Sequence, residues 1–209
     1  MNPPRYAAPT LYLIRHGETD WNARRRLQGR QDIPLNDTGR AQAATSGLCL
    51  RWLLAQPQAL DFVASPLRRT RETMRIVRQR IGLEADDYRT DERLMEIDFG
   101  DWEGSSWTDI AAREPERFAA RQADPLGFAP TGGENYRKVF ERVAGFLETV
   151  QRDTVVVAHA GVLRSFLALR TATDPASVPA IEVPQDQVLM IRDGDFAWLR
   201  ASAALDGRA

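Results

Sequence analysis

Short apolar runs alternate with amphipathic stretches along most of the chain. Leu11–Ile14 (Leu-Tyr-Leu-Ile) is apolar and stops at a charged, Gly-containing turn; Phe62–Ala64 is similar and stops at Ser65-Pro66. Thr154–Ala158 (Thr-Val-Val-Val-Ala) is a β-branched run with no polar alternation. A half-solvated strand would alternate, so this run predicts a strand buried on both faces, as in a parallel sheet. Val188–Arg192 and Phe196–Arg200 flank Asp193-Gly194-Asp195, a hairpin signal expected to end the sheet.

Helical patterns lie between these runs. Asn36 is a good N-cap with Asp37 behind it, and predicts a helix to about Leu54. A second helix is expected over about Leu67–Arg80 and a fourth over about Val162–Leu169. The third, about Glu134–Gln151, puts Tyr136, Val139, Phe140, Val143, Leu147 and Val150 on one stripe. The order predicts an α/β fold: a three-layer α/β/α sandwich, with a mostly parallel central sheet and helices on both faces. The stretch from Trp102 to Gly132 breaks the rhythm with two tryptophans and three prolines. It reads as a small helical cover over one end of the sheet, so 1–209 is read as a single domain with 102–132 as its excursion.

Composition narrows the function classes. At 209 residues, 43% hydrophobic and 27% charged, the chain is neither disordered nor fibrous. No window approaches the about 18 apolar residues of a spanning helix, so no membrane partner is expected. Met1–Thr10 lacks an apolar run before a cleavage site; no signal peptide is read there, and a cytoplasmic location is expected. A net charge of −1 gives no reason to expect nucleic acid. Cys49 is the only cysteine and Lys138 the only lysine, which disfavours disulfides, Cys-based metal clusters and Schiff-base chemistry. His16 and His159 are the only histidines. No metal and no organic cofactor is expected, and the assembly is expected to be a monomer or homodimer.

The strand ends carry the unusual residues. They read Arg15-His16-Gly17-Glu18-Thr19, Ser65-Pro66-Leu67-Arg68-Arg69-Thr70 and Ala158-His159-Ala160-Gly161. Ligands of such sheets bind beyond the carboxyl ends of the strands. If these strands are neighbours, two histidines and at least two arginines converge, a cluster that needs an anion. A phosphoryl group suits guanidinium forks. Each residue alone also has a structural reading: His159 as a hydrogen-bonded core histidine, Glu96 as a surface carboxylate, Trp102 and Trp107 as packing. Arg68, Arg71, Arg75 and Arg78 read as a solvated helix face, as does Arg24-Arg25-Arg26, with Arg26 a possible border of the site.

Taken together, the chain resembles the histidine phosphatase superfamily, the phosphoglycerate-mutase-like proteins. The first strand end, followed by Trp21-Asn22 and Gln28-Gly29, resembles the signature loop. The Ser-Pro motif resembles the second motif, whose phosphate ligand is Arg69. Leu94-Met95-Glu96-Ile97 resembles the acid motif and Ala158–Gly161 the second-histidine motif. The resemblance implies two-step phosphoryl transfer. His16 attacks phosphorus; Arg15, Arg69 and His159 stabilise equatorial oxygens; Glu96 protonates the leaving oxygen and then activates water. Asn22, Gln28, Gly29 and Thr19 are expected to bind substrate, a small phosphorylated metabolite. Asn135 stands where the family more often has Ser, so a hydrogen bond from that hydroxyl is in question.

Glu96 to Gly133 is short for a mutase cover, and its Arg113, Arg117 and Arg121 are balanced by Asp109, Glu114, Glu116 and Asp124. That favours a phosphatase. The motifs Glu96–Gly104 and Pro130–Glu134 resemble α-ribazole phosphatases and the broad-specificity phosphatases beside them, which makes α-ribazole phosphate a candidate substrate. A phosphoglycerate mutase and a non-catalytic anion-binding module on the same fold are the alternatives.

Overall fold

A computed structural model describes residues 8–201. The start of the chain, Met1–Ala7, and with it most of the segment read for a signal peptide, lies outside the described residues. Six strands form one sheet: β1 (Leu11–Arg15), β2 (Asp61–Ala64), β3 (Arg89–Thr90), β4 (Thr154–Ala158), β5 (Val188–Arg192) and β6 (Asp195–Leu199). Their order is β3-β2-β4-β1-β5-β6. The first four of these run parallel, and β5 and β6 close one side antiparallel. The Val-rich β4 lies between β1 and β2 and is buried at every position, which is why it shows no polar alternation.

The helices are α1 (Asp20–Ala23), α2 (Asp37–Leu53), α3 (Arg68–Arg80), α4 (Trp107–Arg113), α5 (Pro115–Ala123), α6 (Tyr136–Leu147) and α7 (Ala160–Arg170). The period-two geometry of the strands divides their apolar residues between two cores. Leu11 and Leu13 of β1 and Val156 and Ala158 of β4 pack on the side of α6 and α7. Ile14, Val155 and Val157 pack on the other side, against Cys49 and Leu50 of α2 and Met74 and Val77 of α3. Burying each of these larger side chains contributes about 1.5–3 kcal/mol.

Several boundaries differ from expectation. The helix expected over Glu134–Gln151 is shorter because Asn135 is its cap: Asn135 Oδ1 accepts from Lys138 N at 3.0 Å. Its Nδ2 donates to Gly127 O at 3.0 Å, so this residue supplies a cap and also ties down the cover. The fourth helix starts two residues early, since the chain turns straight from β4 into α7 at His159. β6 begins at Asp195, because Arg192 pairs with Asp195 across a two-residue turn. β3 is a two-residue edge strand with no apolar pattern to announce it. The cover is helical, as expected. α4 starts from a Ser106–Asp109 capping box and α5 from Pro115 at its first position.

One arginine contradicts the sequence reading. Arg68, Arg71 and Arg75 are exposed, but Arg78 is buried. Its Nε donates to Glu84 O at 2.6 Å and its guanidinium lies 4.5 Å from the Phe62 ring centre. The chain folds back over the last turn of α3, a long-range contact that helical periodicity does not encode.

The loop after β1 is held against α2 by a backbone contact. A Cβ on Gly39 would collide with Glu18 O, and one on Gly17 would collide with Gly39 O. Gly39→Ala is therefore expected to lower unfolding free energy by about 1–3 kcal/mol, the usual range for overpacking. Urea denaturation checks this; an unchanged midpoint would show that the loop can move away freely.

Candidate active site

The register brings the ends of β1 and β4 level and that of β2 within one residue of them. Arg15 pairs with Ala158, and Ala64 with Val157. The ladder runs one bond further, with His16 N donating to Ala158 O and Ser65 N to Val157 O, each at 3.0 Å. A cavity of about 190 Å³ opens there. Arg15, His16, Asn22, Gln28, Gly29, Arg69 and Glu96 all line it.

His16 is 3% exposed, and its Nδ1 is 2.8 Å from Gly17 O. A carbonyl oxygen only accepts, so Nδ1 carries the proton and Nε2 keeps its lone pair. Burial, then the charges of Arg69 and Arg15, push its pKa well below the usual histidine value. His159 is fully buried. Its ring lies edge-on to His16, with centres 5.2 Å apart. Nε2 is 2.9 Å from Ser65 Oγ, and Nδ1 has no partner among the described residues. Burial, then Arg69 and His16, hold its pKa well below the usual value too.

The two arginines are fixed by carbonyls. Arg69 Nη1 and Nη2 donate to Gln31 O at 2.6 Å and Gly29 O at 2.8 Å. Arg15 Nη1 donates to Val183 O at 2.8 Å. Burial lowers each to a pKa of about 10, which leaves both cationic at neutral pH. Neither makes an ion pair among the described residues, and the Nε of each is buried without a partner. Such groups are costly to bury unless an anion meets them.

Glu96 closes the other wall. Its Oε1 accepts from Ile97 N at 3.0 Å and from Gly161 N at 3.1 Å, in the first turn of α7. A side chain at position 161 would put a Cβ 2.6 Å from that oxygen. Asn22 Oδ1 accepts from Thr19 N at 3.2 Å and Gln185 Nε2 at 3.3 Å, which leaves its amide N–H groups for a guest. Thr19 is placed differently from the other residues expected to bind substrate. It is fully buried off the cavity, caps α1, and holds Gln28 Oε1 through its hydroxyl at 3.0 Å.

Several residues of the site have no sequence signal. Gln185 Nε2 also donates to His16 O at 3.1 Å. Tyr136, Arg164, Phe99 and Ile97 line the cavity, as do Trp107 and Arg26, whereas Trp102 is buried packing. Glu103 ties the cover to the loop that holds Arg69. Its Oε1 accepts from Arg30 N and its Oε2 from Gln31 Nε2, each at 2.8 Å. Among the described residues, no group of three or more His, Cys, Asp and Glu side chains is placed to hold a metal ion.

Comparison with known proteins decides the family. The model of the histidine phosphatase superfamily, branch 1, matches residues 11–199. The chain belongs to the histidine phosphatase superfamily. Phosphoglycerate mutase-like protein 4 of Arabidopsis thaliana is 33% identical over 193 residues, 88% of this chain and 80% of that one. The adenosylcobalamin/α-ribazole phosphatase of Salmonella typhimurium is 33% identical over 172 residues, 80% of this chain and 81% of that one. A mycobacterial glucosyl-3-phosphoglycerate phosphatase solved with VO3 superposes with a TM-score of 0.72 at 31% identity, covering 91% of this chain and 97% of that one. In this histidine phosphatase superfamily member the four motifs thus meet at one cavity.

Two outcomes follow from this geometry. The unfolded chain takes up protons at its histidines near pH 6.5 while the folded chain, with both values depressed, does not. Stability present above that pH is lost as pH falls, by up to about 1.4 kcal/mol per pH unit for each histidine, until the folded values are reached. His159→Asn should make urea-derived stability fall less steeply between about pH 7 and 5; an identical slope would show that His159 titrates normally. Glu103→Gln should weaken inorganic phosphate binding about tenfold, since a hydrogen bond to a charged group is worth about 1.5–3 kcal/mol. Calorimetry measures this, and unaltered affinity would mean the loop holds Arg69 without Glu103.

Proposed function

We propose that the protein is a phosphomonoesterase that hydrolyses a small phosphorylated metabolite through a phosphohistidine on His16. The observation that carries this is the bare Nε2 of His16 beside two cationic guanidiniums that lack carboxylate partners. His16 Nε2 attacks phosphorus as the bond to the leaving oxygen breaks, and Glu96, as general acid, delivers a proton to that oxygen. Water then attacks the phosphohistidine and gives its proton to Glu96. The Nε2–P bond breaks and phosphate leaves. Arg15, Arg69, Asn22 and His159 Nδ1 stabilise the equatorial oxygens. Thr19, Gln28 and Gly29 shape the loop around them.

Hydrolysis is favoured over mutase chemistry by the cover. Arg117 pairs with Asp101 and Glu114, and Arg113 with Glu114. Those charges are spent within the cover and do not form a second phosphoryl site. The names of the relatives point to different phosphate esters, so α-ribazole phosphate stands as one candidate in a panel. A cytoplasmic setting suits the lone, buried thiol of Cys49.

Rapid quenching with a labelled substrate should show acid-labile, base-stable phosphate on the wild type and none on His16→Ala. Label persisting in the variant overturns the assignment of the nucleophile. Glu96→Gln should slow the phosphorylation step by about 10²–10⁴-fold on alkyl phosphates, the usual range for general acid catalysis. The defect should shrink for p-nitrophenyl phosphate, whose leaving group departs as an anion. Equal, small defects for both substrates in single turnovers would remove Glu96 from the proton path.

A further inference from the structure

Ser65 and His159 form a buried pair at the strand ends. Both are fully buried, and His159 Nε2 lies 2.9 Å from Ser65 Oγ. The backbone of Ser65 is fixed where β2 ends. Its N–H donates to Val157 O at 3.0 Å, and its carbonyl accepts from Thr70 Oγ1 at 2.8 Å. Its hydroxyl has no partner besides His159 among the described residues. The two nitrogens of an imidazole diverge, so His159 Nδ1 points away from Ser65. That nitrogen is buried and meets no hydrogen-bonding group among the described residues. His16 follows β1, the other neighbour of β4, and its ring centre is 5.2 Å from that of His159.

Held neutral by burial and by the nearby arginines, the His159 ring carries one proton, and two arrangements compete for it. With the proton on Nε2, that N–H donates to Ser65 Oγ. The serine hydroxyl proton is then buried with nothing to accept it, and Nδ1 presents a lone pair that no donor meets. With the proton on Nδ1, Ser65 donates to Nε2, and only the Nδ1–H is left unmet. The first arrangement strands two buried groups and the second strands one, and each such group is costly. We infer that Ser65 is a positioning residue that fixes His159 as the Nδ1–H tautomer, so that the ring turns a donor towards a bound phosphoryl group. This rests on the role proposed for His159 Nδ1 and supplies its cause, since a lone pair aimed at a phosphoryl oxygen would repel it. His16 reaches the same tautomer through the carbonyl of Gly17. One ring thereby keeps Nε2 bare to attack, and the other keeps Nδ1 protonated to donate.

The chain has two histidines, so labelling histidine with nitrogen-15 gives a spectrum of four ring nitrogens. Two-bond nitrogen–proton correlations read the tautomer of each ring, and His159→Asn shows which signals are whose. In the free wild type both rings should be protonated on Nδ1 and bare on Nε2. Ser65→Ala removes one buried oxygen and keeps the backbone bonds. It should add an Nε2-protonated population at His159 and leave His16 as it was. Its kcat/KM on p-nitrophenyl phosphate should fall about tenfold or more, the worth of a hydrogen bond to a charged group. Ser65→Cys, whose thiol donates weakly, should fall between the two. The amide of His159→Asn has no tautomer to set, so adding Ser65→Ala to it should cost less than about twofold further. Nε2–H on His159 in the wild type, an unchanged tautomer in Ser65→Ala, or the full loss on top of His159→Asn each overturns the assignment. If the wild type releases phosphate from no ester, the phosphatase reading fails, while the spectra still decide what Ser65 does to His159.

Discussion

Two guanidiniums near the ends of parallel strands, Arg69 buried and Arg15 half-buried, neither in a direct ion pair among the described residues, set the terms for the rest of this molecule. Burial lowers Arg15 and Arg69 only to about 10, so they remain cations at neutral pH. The fold keeps them in place with backbone carbonyls at Val183, Gly29 and Gln31. A carboxylate in that role would have neutralised them, whereas a neutral carbonyl positions the fork and leaves its charge for a guest. Burial first, and then the charge of these arginines, keeps the two histidines unprotonated. One arrangement thus creates the anion site and the lone pair that attacks within it.

The sheet supplies what this arrangement needs. β4 is apolar on both faces because it is the middle of a sheet covered on both sides. That covering fixes β1 and β2 in register beside it, and register decides that His16 emerges level with His159, with Ser65 one position earlier beside Ala158. A one-residue slip would turn each side chain to the other face. The site's precision therefore comes from the alternating division of valines and leucines between two cores, some distance from any catalytic atom.

Much of this was legible in the sequence. The strands announce themselves by apolar runs, and three of them end in residues too costly to bury idly. Other parts depend on contacts between distant segments. Gln185 and Val183 reach His16 and Arg15 from beyond α7, in a stretch with no periodic pattern. Arg164 is spaced like any solvated helix position, and only the packing of α7 against the cavity turns it inward. Arg78 carries no signal of its burial for the same reason, since the chain that buries it returns from a later loop. Thr19 sits within the motif as expected, yet its geometry is that of a cap that steadies Asn22 and Gln28.

The link from Glu103 through Arg30 and Gln31 to Arg69 bears on what this chain can change around its site. Arg69 reads the carbonyl positions of Gly29 and Gln31, and side-chain identity at residues 30 and 31 matters less to it than the path of the backbone. A change of length in that loop therefore costs Arg69 more than a substitution does, Gln31 excepted, whose side chain also meets Glu103. The cover, for its part, cannot be exchanged as a free module, because one of its carboxylates holds the same backbone. An insertion of one residue between Gln28 and Gln31 would be felt in the site as a misplaced positive charge.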